Sequence, residues 1–131
     1  MAWKLSNSSK QKLEGVHPDL IKVVNKALTL SPYDFGITEG CRTIETQKQY
    51  VDEGKSTTMN SVHLTQEDGY SHAIDIKVFA PKLSWDHKHF RKVIQAFVTA
   101  AIEEGVPLEF GGLWENFLDS PHIQLGKSYR K

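Results

Sequence analysis

Apolar positions recur at three- and four-residue spacing in two stretches of the chain. Leu20, Ile21, Val24, Ala27 and Leu28 form one stripe over residues 18–31, and Pro18 suits the first helical position. Phe90, Val93, Ile94, Phe97, Val98, Ala101 and Ile102 form a second over residues 86–104, closed by Gly105. Both read as amphipathic helices. The Ser31-Pro32 step ends the first, because a residue before proline avoids helical backbone. A shorter helix is expected near Ser8 to Glu14, and a polar one over residues 44–53 with Gly54 as its C-terminal cap. Short apolar runs mark strands at residues 35–38, 73–79, 108–110 and 122–125. Residues 55–72 are rich in Ser, Thr, Asn, Gly and acids and read as loop. Helices and strands are interspersed, and the strands are few and short. The expectation is an α+β fold: a small, mainly antiparallel sheet packed against two or three helices, in a single domain over residues 1–131.

Composition narrows the function classes. A hydrophobic share of 39% and a charged share of 24% describe an ordinary globular chain able to bury one modest core. Sixteen basic residues balance sixteen acidic ones, so charge gives no case for nucleic acid or an anionic membrane as partner. No apolar run approaches the ~18 residues of a membrane span, so no membrane insertion is expected. The opening MAWKLSNSSKQKL lacks the apolar segment of a secretory signal, which points to synthesis in a cytoplasm. A monomer is expected. Cys41 is the single cysteine, which excludes an internal disulfide and a thiolate zinc cluster. Following a strand-like run, it is expected to be a buried, inert thiol. Any metal must be held by His, Asp or Glu.

Three features stand out against this background. Asp75 lies within AIDIKVF, where alternation puts it on the face opposite Ile74 and Ile76. His122 begins an apolar alternating stretch in DSPHIQL, with Asp119 three residues before it. His63 sits in SVHLT, inside the polar loop. Each alone has an ordinary reading: an exposed strand face, a turn with a capping aspartate, a histidine without special role. Together they supply two imidazoles and a carboxylate, and catalytic zinc commonly takes three such ligands. Asp119 then remains as a candidate general base. Arg42, in GCRT after a strand, is a candidate fixed cation for developing negative charge.

Ser61-Val62-His63, Ala73-Ile74-Asp75 and Asp119-Ser120-Pro121-His122, in that order, resemble the motifs of the M15 family of zinc peptidases. That family includes D-Ala-D-Ala dipeptidases and carboxypeptidases and the L-alanyl-D-glutamate peptidase endolysins of tailed bacteriophages. SPYDFGITEGCRTIETQKQYVDEGKS resembles the endolysins' segment around their functional arginine, and the likeness runs from about Ser6 to about Leu125. The resemblance implies Zn2+ as cofactor, with His63, Asp75 and His122 as its ligands. It implies Asp119 as catalytic acid and base, Arg42 as the residue that holds an oxyanion or a substrate carboxylate, and Trp114 as a lining of the cleft. It further implies cleavage of the L-alanyl-D-glutamate bond of the peptidoglycan stem peptide. A lysis enzyme of this kind is made in the host cytoplasm and acts in the periplasm after the membrane is permeabilised. A D-Ala-D-Ala carboxypeptidase and a non-catalytic wall-binding module are the alternatives. One departure stands out: eleven residues separate His63 from Asp75, more than is usual in the family, and QEDGY over residues 66–70 reads as an insertion. His72 therefore competes as first ligand, but it lacks the S-x-H context, and its odd spacing from Asp75 turns it the other way in an extended strand. Glu67 and Asp68 read as a solvated acidic loop rather than a regulatory cation site.

Overall fold

The computed structural model describes residues 3–54, 61–113 and 121–129. Helices α1 (Asn7–Lys12) and α2 (Pro18–Leu30) lead into strand β1 (Asp34–Glu39) and helix α3 (Ile44–Asp52). Strands β2 (Ala73–Phe79) and β3 (Leu83–Ser84) precede the long helix α4 (His87–Glu104), and β4 (Leu108–Phe110) and β5 (His122–Leu125) complete the sheet. The strand order is β1-β2-β5-β4, with β3 beside the far end of β2, and every pairing between these strands is antiparallel. The α+β expectation holds, with four α-helices among the described residues.

Local chemistry sets the helix ends. Ser6, Thr43 and Asp86 accept backbone N–H bonds with their side chains at the starts of α1, α3 and α4. Gly105 takes the left-handed conformation (φ 69°) that closes α4. Helices α2 and α4 pack against each other, and α4 also packs on β2. Between the helices and the sheet lie Leu20, Val24, Ile74, Ile76, Val78, Phe90, Phe97 and Ile123, all essentially inaccessible to solvent. The buried face of α4 is turned relative to the stripe its sequence implies: Val98 is 37% exposed and Ile102 76%. Successive turns centre the buried face on Phe90, Phe97 and Ala101, so residues 98 and 102 fall on its flank, while Ala96 and Ala100 are buried on the other side. On α2, Val23 is fully buried and Ile21 only partly.

Cys41 contradicts its expected burial. It is exposed, with Sγ 3.6 Å from the Thr65 hydroxyl. The chain leaves β1 through Gly40, which is itself buried; a Cβ there would come within 1.9 Å of the Lys12 carbonyl oxygen. The close approach to α1 is made by the glycine, and the next side chain turns outward.

Candidate metal centre and its surroundings

Strand β2 carries the centre of the site. Its burial alternates, so Ile74, Ile76 and Val78 enter the core while Asp75 lies on the other face. The β2–β5 register places His122 directly across from Asp75, and His122 Nδ1 lies 3.2 Å from Asp75 Oδ1. The third side chain arrives from the loop. His63 Nε2 stands 3.4 Å from Asp75 Oδ2, and its ring meets that of His122 edge-on at a centroid distance of 5.1 Å. His63 and His122 are buried, at 3% and 7% exposure.

One ligand atom from each of His63, Asp75 and His122 lies within 4.8 Å of the other two. Two imidazoles and a carboxylate are a donor set suited to a divalent transition metal, and this group could hold one. Burial pushes the Asp75 carboxyl pKa up. The hydrogen bonds from His122 and His63, and the charge on those rings, more than reverse this and hold it well below the usual carboxylate range. Asp75 is therefore ionised throughout the neutral range.

The loop bearing His63 is anchored at several points. The His63 N–H donates to Ser61 Oγ, its carbonyl accepts from the Arg42 N–H at 2.8 Å, and its Nδ1 lies 2.9 Å from the Gly40 carbonyl oxygen. Arg42 is fixed in turn. Its Nε donates to Glu39 Oε1, its Nη1 to Gln47 Oε1 at 2.6 Å, and its guanidinium lies 4.7 Å from the Tyr50 ring centroid. Glu39 is the register partner of Asp75, just past the irregularity in β1 at Ile37/Glu39. This brings the cation to the same end of the sheet as the three convergent side chains. Glu39, Gln47 and Tyr50 carry no sequence signal for this role, because polar residues on a short helix and at a strand end are ordinary.

His72 does not join the group. It is 1% exposed, and its Nε2 bonds Asp68 Oδ2 at 2.8 Å within a cluster that includes His17 and Tyr129. Asp68 is exposed, as expected for a solvated loop, and it is also engaged by the His72 side chain and the Tyr70 N–H. What burial it has raises its carboxyl pKa, but those bonds and the charge of His72 and His17 bring the net value below normal. Asp119 and Trp114 lie outside the described residues. An apolar depression of about 410 Å³ is lined by Val98, Ile102, Pro107, Leu108 and Phe110, and His63, Asp75, His122, Arg42 and His72 are not among its lining residues.

A family model of phage L-alanyl-D-glutamate peptidases matches residues 1–126. The chain belongs to the phage L-alanyl-D-glutamate peptidase family. Among similar proteins, the L-alanyl-D-glutamate peptidase of Escherichia phage T5 is 38% identical over 122 residues, spanning 87% of this chain and 83% of that protein. The crystal structure of the Serratia marcescens L-Ala D-Glu endopeptidase ChiX matches with a TM-score of 0.86 at 34% identity, covering 96% of this chain and 92% of that one. Family membership agrees with the resemblance carried by the S-x-H, A-x-D and D-x-x-H segments. Among the described residues, no helix of this family member is long and apolar enough to cross a membrane.

Proposed function

We propose that this chain is a zinc-dependent endopeptidase that cleaves the L-alanyl-D-glutamate bond of the peptidoglycan stem peptide. The observation that carries the reading is the convergence of His63, Asp75 and His122 in a member of this family. These three residues hold the metal. Zinc suits two imidazoles and a carboxylate without thiols, and when bound it supplies Lewis-acid polarisation of the scissile carbonyl and makes water more acidic.

The remaining steps belong to side chains. Asp119 takes the proton from the attacking water and returns it to the leaving amine, a contribution of roughly 10²–10⁴-fold. Arg42, held by Glu39 and Gln47, offers a cation with little freedom to move, placed for an oxyanion or a substrate carboxylate. Trp114 lines the cleft. The enzyme acts as a monomer. It is made in the host cytoplasm and reaches the wall once another protein has permeabilised the membrane.

Mass spectrometry of digested Gram-negative-type peptidoglycan tests both the activity and the bond. The expected products carry a new N-terminal D-glutamate, with whole stem peptides detached from L-alanine. Release of free D-alanine with the L-alanyl-D-glutamate bond intact would make the protein a carboxypeptidase. No turnover by metal-loaded protein would leave a wall-binding module.

A further inference from the structure

His63 and His122 each stand between two oxygens. One nitrogen of each ring faces Asp75, and the other faces an oxygen outside the three-residue group. For His63 the outer partner is the Gly40 carbonyl oxygen, 2.9 Å from Nδ1. A carbonyl only accepts, so Nδ1 keeps its proton, and Nε2, on the Asp75 side, is the nitrogen that would give up its proton and offer a lone pair to a bound metal. For His122 the outer partner is a side chain, with Gln124 Oε1 2.7 Å from Nε2. Nε2 donates to that oxygen, which leaves Nδ1 to face Asp75 Oδ1. The two rings therefore offer opposite nitrogens to the centre.

Gln124 is placed for this by the sheet. It lies two residues beyond His122 on β5, so both side chains leave the same face. Its register partner on β2 is Ala73, whose small side chain leaves room for the longer amide. Gln124 is only 8% exposed, so little water competes for its bond to the ring.

We infer that Gln124 is a positioning residue that fixes the proton of His122 on Nε2 and so makes Nδ1 the metal-binding atom. This rests on the metal-holding role proposed for His122. Partners of this kind raise ligand basicity and set ring orientation, and their loss typically weakens metal binding by about 10–100-fold.

Two measurements test it. Long-range nitrogen–proton NMR of the zinc-loaded protein with labelled histidine should show His122 protonated at Nε2 and His63 at Nδ1. Zinc affinity, measured by competition with a chelating indicator, should fall about 10–100-fold in Gln124→Leu. Gln124→Glu, which keeps an acceptor oxygen at that site, should restore it. Thermal unfolding of the metal-free variants separates a weakened ligand from a damaged fold, and the wild-type spectrum stands even where Gln124→Leu does not fold. A His122 proton on Nδ1, or unchanged affinity in a folded Gln124→Leu, would overturn the inference while leaving the hydrolase reading intact. A wild-type protein that binds no zinc would overturn the hydrolase reading, and this inference with it.

Discussion

His63 and His72 both precede Asp75, and along the chain His72 is the nearer. Tertiary contacts separate them. His63 Nε2 points at Asp75, whereas His72 Nε2 is occupied by Asp68. His63→Ala is therefore expected to abolish tight zinc binding. His72→Ala should keep it while losing stability, since it removes a buried ring and the partner of Asp68. Zinc titration of both variants decides the matter, and loss of zinc only in His72→Ala would overturn the assignment. The S-x-H context was the legible signal for His63. Nothing comparable marked Gly40 or Gln124, because a backbone carbonyl and a strand amide become partners of a histidine only once the chain has folded around them.

Strand β1 is one edge of the described sheet, and helix α1 packs against it. The Ile37 N–H is satisfied by Ser9 Oγ at 2.9 Å, in a bond shielded from water. Gly36 permits this approach, since a Cβ there would come within 3.1 Å of the same oxygen. The contact matters for the site because β1 leads into Glu39, Gly40 and Arg42. Ser9→Ala would leave a buried N–H without its acceptor, at a cost of about 1–3 kcal/mol. Urea unfolding measures this directly, and an unchanged midpoint would mean that the strand finds another partner. The strand itself was legible from its apolar run. Its tie to α1 was not, because a serine on a short helix reads as a solvent-facing residue.

At the scale of the molecule, the C-terminal turn is tied back to the start of α2. The Tyr129 hydroxyl donates to Asp19 Oδ2 at 2.8 Å, and the Tyr129 ring meets His17 edge-on. Burial, the bond to Asp19 and the negative charge of that carboxylate push the Tyr129 hydroxyl up from 10.0 to about 12. The folded state thus favours the neutral phenol. Its contribution to stability is complete below about pH 10 and is lost as pH rises toward about 12. Stability is expected to fall across that window in the wild type and to fall less in Tyr129→Phe. Denaturant unfolding at several alkaline pH values compares the two, and parallel curves would show that Tyr129 titrates as a free tyrosine.

The repeat of apolar residues along 18–31 and 86–104 determined the two main helices, because a helix buries one stripe whatever it packs against. Alternation along β2 likewise determined that Asp75 and Ile76 point apart. These are local rules, and the sequence carries them without help. Which residues meet across the fold followed a different rule. Loop residues such as His63 have no period, and bringing them to Asp75 depends on loop closure and on which surfaces become buried together. The tertiary structure alone decided that Cys41 faces outward, that Val98 and Ile102 stay on the flank of α4, and that His72 serves Asp68. It also brought Gln124 and the Gly40 carbonyl behind the two histidines, because those contacts join segments that share no local pattern.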